Sequence, residues 1–140
     1  MKVRNAKKED MKEIAEIMMK ESAKKPYNEK YTLKSAVKES KEFFKNEIYV
    51  AVNEKEIIGF IASHVISSDK KKGYIDELWI RPNYQGKGAG KMLVKFVEEK
   101  YKKDGISGIR LSTIKKAKAY GFYNKLKYKN ADLVYMEKKL

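Results

Sequence analysis

The fold of this chain is decided by the stretch Arg81-Pro82-Asn83-Tyr84-Gln85-Gly86-Lys87-Gly88-Ala89-Gly90-Lys91. The segment that enters it, Tyr74 to Ile80, has strand character, and the segment that leaves it, Met92 to Tyr101, has the apolar spacing of an amphipathic helix. Three glycines and two lysines at a strand-to-helix junction expose main-chain N–H groups at the positive end of a helix. Such a junction suits a phosphate or diphosphate, so the sequence predicts a phosphorylated cofactor.

Composition predicts one domain that covers residues 1–140. The chain has 42% hydrophobic residues, which is ordinary for a globular protein, and no apolar run of the roughly 20 residues that a membrane helix needs. It contains no cysteine, which excludes disulfides and thiolate chemistry and favours a cytoplasmic location. A single histidine, His64, in a strand-like run makes a metal site unexpected and is interpreted as a structural residue.

The formal net charge of +14 creates a field that attracts polyanions. The lysines are spread along most of the chain, so we interpret them as a solvated surface. A nucleic-acid-binding protein would need a basic patch with interleaved aromatic residues, to which Tyr101–Lys103 and Tyr120–Tyr128 come nearest. Nucleic acid is therefore not the expected partner, and no membrane partner is expected.

Hydrophobic periodicity and turn residues predict an α/β (α+β) fold with the order β-α-α-β-β-β-α-β-α-β. Asp10 and Thr32 are predicted to cap the first and second helices. The second helix is expected to bury Leu33, Ala36, Val37 and Phe44. The remaining predicted elements are strands at Lys2–Ala6, Glu47–Val52, Ile57–Ile66, Tyr74–Ile80, Ile109–Ser112 and Asp132–Lys138, a helix over Gly88–Lys103, and a helix through Ala119–Leu126.

The glycine loop does not follow the two best-known phosphate-binding patterns. Gly86 and Gly90 are too close for a Walker A loop, and Met92 stands where that loop has Ser or Thr. The third glycine of a dinucleotide fingerprint is also missing. The pattern that fits is Gln-x-x-Gly-x-Gly over Gln85–Gly90, and here the sequence resembles the GNAT superfamily of acetyl-CoA-dependent N-acetyltransferases.

The resemblance extends over nearly the whole chain. Ala119–Tyr128 is similar to the family's Ala-x-x-Phe-Tyr-x-Lys-Leu-Gly-Phe, and Val3–Asp10 is similar to its first strand and helix cap. It implies a mixed, mostly antiparallel central sheet with helices on both faces. Two positions depart from the family pattern: Lys116 stands where Asn is frequent, and Lys127-Tyr128 stands for Gly-Phe. The first departure leaves the cofactor contacts near Ser112–Lys116 open.

The resemblance also implies how acetyl-CoA is held and how its carbonyl is polarised. The diphosphate is expected on main-chain N–H groups of Gln85 to Gly90, with charge added by two lysines. The carbonyl is expected near the amides of a splayed fourth strand. The implied cofactor residues are Leu78, Trp79, Ile80, Gln85, Gly86, Lys87, Gly88, Ala89, Gly90 and Lys91. No metal is implied.

For the chemistry, the expected mechanism is direct attack of an amine on the thioester through a tetrahedral intermediate. An alkylammonium must first lose a proton, and Asp76 and Glu77 are the candidate bases. Strand alternation would put them on opposite faces, so only one could face the acyl group, and the choice stays open. By resemblance, Tyr123 is the acid that protonates the leaving thiolate.

The expected acceptor is a primary amine, either of a small molecule such as a polyamine or of a protein. The loop Glu21–Tyr31 is expected to line its pocket, with Tyr27 and Tyr31 as binding residues for a cation. A homodimer is one expected assembly. The alternatives are an acyl-CoA-binding sensor and a basic nucleic-acid-binding protein, both without turnover.

Overall fold

The computed structural model describes residues 1–43, 45 and 47–140, so the predicted inner-face residue Phe44 lies outside the described residues. The strands are β1 Lys2–Asn5, β2 Glu47–Asn53, β3 Glu56–Val65, β4 Lys72–Ile80 and β5 Gly108–Arg110. The helices are α1 Met11–Ser22, α2 Leu33–Phe43, α3 Ala89–Lys103 and α4 Lys118–Lys125. Short 3-10 turns precede α1 at Lys8–Asp10 and follow β4 at Pro82–Tyr84.

The strands form one mixed sheet in the order β1-β2-β3-β4-β5. Neighbours from β1 to β4 are antiparallel, and β5 lies parallel to β4. The predicted mixed, mostly antiparallel sheet is therefore confirmed. None of the described helices combines the length and the apolar character that a membrane span requires.

Two hydrophobic clusters cover the two faces of this sheet, as the prediction of helices on both faces requires. One joins α1 and α2 to the sheet and is centred on Ile14, Met18 and Phe60. The other joins α3 and α4 to the opposite face and is centred on Leu93, Val97 and Tyr101. Side chains alternate across a strand, so β2 and β3, which are buried on both faces, read as nearly continuous apolar runs.

Two irregularities of β4 shape the region that follows it. The ladder between β4 and β5 covers only three pairs and ends at Tyr74 opposite Arg110. In the ladder with β3, Glu77 lies opposite Ala62 while Ile75 lies opposite Ser63, so Asp76 is the extra residue of a bulge. From Asp76 to Ile80, β4 therefore has a partner strand on one side only among the described strands.

The predicted last strand, Asp132–Lys138, does not form, and the order of elements ends with α4. Leu133, Val134, Tyr135 and Met136 are 82–96% exposed. A short apolar run favours a strand only where a sheet edge supplies the hydrogen-bond ladder, and among the described residues this segment pairs with none.

Two helix predictions need correction. Asp10 does not cap α1: its carboxylate accepts the Lys7 N–H at 2.7 Å and pairs with Arg4 at 2.7 Å, so it closes the 3-10 turn before α1. The hydrogen bond from Arg4 holds the pKa of Asp10 below its usual value. Leu33 is 39% exposed because α2 turns Ala36 and Phe43 inward instead. Thr32 caps α2 as predicted, with its Oγ1 3.1 Å from the Ser35 nitrogen.

Gly59 of β3 has no room for a side chain beside β4. A Cβ at this position would lie 2.8 Å from the Trp79 carbonyl oxygen and 2.5 Å from Ile80 Cδ1. We expect Gly59→Ala to lower the free energy of unfolding by about 1–3 kcal/mol because the main chain of β4 must move. Gly121→Ala, in α4 with nothing within 4 Å, is the control and should be neutral or stabilising. Urea unfolding of both variants measures this, and equal stabilities would contradict it.

Candidate active site

The glycine loop between β4 and α3 exposes its main chain to open space. Gly86 and Gly88 have φ of +74° and +92°, a region that favours glycine, and a Cβ on either would meet nothing within 4 Å. The Met92 N–H donates to the Gly88 carbonyl at 3.0 Å, so Gly88 begins the helix. The N–H groups of the first turn, from Ala89 to Lys91, have no intrahelical acceptor. Open N–H groups and free space fit the diphosphate of a coenzyme.

Side chains around this loop hold the loop in place and leave the space beside Gly86 and Gly88 open. Gln85 Nε2 donates to Glu21 Oε1 at 2.9 Å and to the Ile80 carbonyl at 2.8 Å. Glu21 is buried at the end of α1, so the loop is tied to the α1–α2 layer. The Gln85 N–H already donates to the Pro82 carbonyl at 3.3 Å. The main-chain N–H groups that are available to a ligand therefore begin at Gly86. The ammonium of Lys87 lies over the Tyr84 ring, 5.9 Å from its centroid.

The other predicted loop residues are placed by α3. Ala89 is buried against the α3–α4 core, whereas Lys91 is exposed in the first turn. A Cβ on Gly90 would come within 3.3 Å of the Phe122 ring, so this glycine allows α3 and α4 to pack closely.

The second half of β4 presents an open main-chain edge beside the loop. Leu78, Trp79 and Ile80 pair with β3 on one side, and β5 has already diverged on the other. The side chains of Leu78 and Ile80 pack into the α3–α4 core, and Trp79 packs against the α1–α2 core. The main-chain groups that point away from β3 therefore face the gap between β4 and β5, apart from the Ile80 carbonyl, which accepts from Gln85.

Glu77 is a half-buried carboxylate with an elevated pKa. Trp79 Nε1 donates to its Oε2 at 2.6 Å. Burial raises the pKa of Glu77 to about 7, the nearby charges of Glu29, Glu39 and Asp76 add to the rise, and the Trp79 hydrogen bond opposes it. A carboxylate with this pKa can both accept and release a proton near neutrality.

The Asp76 carboxylate contacts His64, whereas the Glu77 carboxylate contacts Trp79. Its Oδ2 lies 2.7 Å from Nδ1 of His64, and the His64 ring packs on Tyr74 with centroids 5.6 Å apart. The expected strict alternation fails here because Asp76 is the bulged residue. Glu77 lies opposite Ala62 on β3, and His64 is on the same face of β3 as Ala62. The carboxylates of Asp76 and Glu77 therefore both lie on the face of the sheet that α1 and α2 cover.

Tyr123 is buried in α4, with its ring in edge contact with Phe122 and Tyr128. Burial raises the pKa of Tyr123, and the groups of Tyr27 and Glu77 lie near enough to raise it further. Its hydroxyl therefore keeps its proton at neutral pH. The charge of Glu77 on β4 thus affects Tyr123 on α4, although the two residues are far apart in the sequence.

The loop after α1 supplies an aromatic and acidic wall. The Tyr27 ring meets Trp79 edge to face, with centroids 4.9 Å apart. Burial raises the pKa of Tyr31, and Glu39 and Glu29 add to it, which places both carboxylates near this ring. Sequence reasoning missed Glu39 and Glu29 because no local pattern connects them to Glu77.

A metal has no evident place in the described part of the chain. Residues 1–43, 45 and 47–140 hold no cluster of three or more His, Cys, Asp or Glu residues suited to a metal ion.

Comparisons with known proteins agree with this geometry. A sequence model of the Acetyltransferase (GNAT) family matches residues 11–128. No curated protein matches the chain. A possible acetyltransferase from Clostridium difficile 630 has a TM-score of 0.85 at 19% identity, over 99% of this chain and 97% of that one.

Two further solved structures share the fold at low sequence identity. A transcriptional regulator from Bacillus halodurans C-125 has a TM-score of 0.76 at 24% identity, over 99% of both chains. An aminoglycoside acetyltransferase from an uncultured soil metagenomic sample, solved with sisomicin, has a TM-score of 0.72 at 23% identity, over 99% of this chain and 95% of that one.

Because the pKa of Glu77 is raised, we expect the stability of the folded protein to depend on pH. Since the folded-state pKa is about 7 against an ordinary 4.5, the folded protein binds more protons than the unfolded chain between these values. Stability should therefore fall as the pH rises through this window. We expect Glu77→Gln, which stays neutral and keeps an acceptor for Trp79, to raise the melting temperature by several degrees at about pH 8 and by much less at about pH 5.

The matched control is Glu99→Gln, at an exposed position of α3. It should leave the melting temperature nearly unchanged at both pH values. A Glu77→Gln shift of the same size at both pH values would contradict the assignment of a raised pKa.

Proposed function

Since the chain belongs to the Acetyltransferase (GNAT) family and is an acyltransferase, we propose that it moves an acetyl group from acetyl-CoA to a primary amine. The proposed unit is the whole chain, residues 1–140, acting as one domain. The observation that carries the proposal is the open edge of β4 that leads into the open N–H groups of the glycine loop; Glu77, a carboxylate with a pKa of about 7, lies on this strand, and Tyr123, a buried phenol that keeps its proton, lies on α4. A base and an acid beside an open strand edge are what acetyl transfer to an amine needs.

Acetyl-CoA would supply an acetyl group activated as a thioester. The open N–H groups from Gly86 to Lys91 would hold its diphosphate, and the lysines of this loop would add charge. The main-chain edge at Leu78–Ile80 would hold the arm that leads to the thioester and direct N–H donors at its carbonyl oxygen. Fixed donors of this kind act most strongly where water is excluded.

Glu77 is the proposed base. An alkylammonium acceptor with a pKa near 10.4 is almost fully protonated at neutral pH and cannot attack until it loses a proton. The pKa of Glu77, about 7, suits this step, and Asp76 is already bonded to His64. Asp76 is therefore proposed to add negative charge for the cationic acceptor and to hold the bulge in place.

Tyr123 is the proposed acid. Its phenol keeps its proton at neutral pH because burial and the charge of Glu77 disfavour the phenolate. It can therefore donate this proton to the sulfur as the C–S bond of the tetrahedral intermediate breaks, and the phenol then regains a proton from solvent.

The acceptor is proposed to be a cationic amine of a small molecule, such as a polyamine, or of a protein. Tyr27, Tyr31 and Trp79 offer aromatic faces, and Glu29 and Glu39 offer negative charge beside them. The likeness to an acetyltransferase solved with sisomicin supports an amine acceptor. A homodimer is the proposed assembly.

Gly88→Ala tests the coenzyme site. A side chain at φ +92° forces the loop to change conformation, so we expect the dissociation constant for acetyl-CoA, measured by calorimetry, to rise at least about tenfold. Gly105→Ala is the control, because φ is +81° there and the residue lies after the other end of α3. It should cost similar stability and leave acetyl-CoA affinity unchanged. Equal losses of affinity would show that the loop does not hold the coenzyme.

Tyr123→Phe tests the acid. We expect kcat with an amine acceptor to fall by about 10²- to 10⁴-fold while the affinity for acetyl-CoA is kept, because only the proton donor is removed. Tyr120→Phe in the same helix, where the hydroxyl bonds to Asn130, should keep full turnover. Thiol release with a panel of amines measures both variants, and unchanged turnover for Tyr123→Phe would remove this residue from the mechanism.

A further inference from the structure

His64 and Asp76 form a hydrogen-bonded pair between β3 and β4. Oδ2 of Asp76 lies 2.7 Å from Nδ1 of His64, and among the described residues the hydrogen bonds of the ring involve Nδ1 only. An ionised carboxylate can only accept a hydrogen bond, so Nδ1 carries the proton and Nε2 of the neutral ring keeps its lone pair. The pair therefore has the arrangement in which a carboxylate orients an imidazole that accepts a proton.

The imidazole ring is held in place and still reaches water. It packs on the Tyr74 ring with centroids 5.6 Å apart, and the Tyr74 hydroxyl lies 2.8 Å from Oγ of Ser112. The side chain of His64 is 35% exposed, and that of Asp76 is 25% exposed. A proton that Nε2 takes up can therefore pass on to solvent.

This pair lies close to the proposed base on the same face of the sheet. Glu77 of β4 lies opposite Ala62, and His64 follows Ala62 by two residues along β3. Diagonal neighbours of this kind have Cα atoms about 7–8 Å apart, so that their side chains reach one another. Tyr74 is the last residue of the β4–β5 ladder, so the pair stands where the open edge of β4 begins. An acceptor nitrogen beside a thioester in this gap would lie within reach of both Glu77 and His64.

The balance of protons in acetyl transfer gives a reason for a second base. The nitrogen of a primary alkylammonium has three N–H bonds, whereas the nitrogen of the amide product has one. Two protons must therefore leave the nitrogen while its bond to the carbonyl carbon forms and the C–S bond breaks. Glu77, as the proposed base, takes one of them, and Tyr123 gives a different proton to the sulfur. The second proton from the nitrogen still needs an acceptor.

On the basis of the proposed function, we propose that His64 is this second base. Nε2 of His64 takes the remaining proton from the nitrogen of the tetrahedral intermediate. Asp76 is its positioning residue, which orients the ring and stabilises the imidazolium. The imidazolium releases its proton to solvent, Glu77 releases the first proton after the product leaves and water enters, and Tyr123 regains a proton from solvent. One proton is thus released for each acetyl group transferred.

The first experiment determines the tautomer of His64 and requires no turnover. The chain has one histidine, so the imidazole signals in a nitrogen–proton correlation NMR spectrum belong to His64. When the ring is neutral, Nδ1 should carry the proton and Nε2 should have the shift of an unprotonated nitrogen. Asp76→Asn should move the ring toward the Nε2–H form, whereas Asp69→Asn, a control between β3 and β4, should leave it unchanged. An Nε2–H ring in the unaltered protein would overturn the proposal.

The second experiment measures acetyl transfer to an alkylamine by thiol release. His64→Gln removes the imidazole base, so kcat should fall about 10²-fold while the affinity for acetyl-CoA is kept. Asp76→Asn should also lower kcat, because the ring then presents an N–H group to the nitrogen. Val65→Ala is the matched control, since the adjacent residue of β3 faces the other side of the sheet and is 40% exposed. It should keep full turnover.

Chemical rescue of His64→Ala distinguishes a base from a residue that only holds β4 in place. Added imidazole should raise kcat at least about tenfold, whereas pyrazole, a ring of the same size and a much weaker base, should not. Thiol release without an amine is subtracted in both cases. Equal rescue by the two compounds, or full turnover of His64→Gln, would refute the role of His64 and leave the proposed function intact. A wild type that acetylates no amine would refute the proposed function, and the role of His64 with it.

Discussion

The divergence of β4 from β5 is the constraint on which the site depends. Main-chain N–H and C=O groups need hydrogen-bond partners, and β5 supplies them to β4 only as far as Tyr74. From Asp76 to Ile80 the groups on the outer side of β4, apart from the Ile80 carbonyl that accepts from Gln85, are left to water or to a bound molecule. The glycine loop and the start of α3 follow directly, so an open strand edge and open helix-end donors lie next to each other. A long ligand with a diphosphate at one end suits this pairing better than a compact one does.

The bulge in β4 gives two adjacent carboxylates different environments. Asp76 leaves the ladder, and its carboxylate lies within hydrogen-bond distance of His64. Glu77 stays in the ladder, lies beside Trp79 and loses water, so its pKa rises. The two carboxylates therefore differ because of their burial and their hydrogen bonds, and not because one is Asp and the other is Glu. The same strand also turns Glu77 toward the wall that Tyr27 and Trp79 form, which is where an amine acceptor would approach the base.

Local sequence signals predicted the fold well and the contacts of the site only in part. The glycine loop, the antiparallel strands and α3 follow from spacing and turn residues over a few positions. The bond between Gln85 and Glu21 joins residues 64 positions apart, and the bulge that lets Asp76 reach His64 has no signature in one sequence. The last strand was predicted from its short apolar run, but a strand also requires an edge to pair with. Whether a segment reaches such an edge depends on the rest of the fold, which the pattern of the segment does not reveal.

The distribution of charge suits the two ligands that we propose, an anionic coenzyme and a cationic amine. A net charge of +14 attracts a polyanionic coenzyme at long range, and in physiological salt this attraction is screened beyond about 8 Å. Near Glu77 the carboxylates of Glu29, Glu39 and Asp76 add local negative charge, which contributes to the raised pKa of Glu77 after burial. A cationic amine, the acceptor that we propose, would be repelled by the surface as a whole and attracted by these carboxylates. Because a neutralised Glu77 would weaken that attraction, acceptor binding and proton transfer would depend on the same carboxylate.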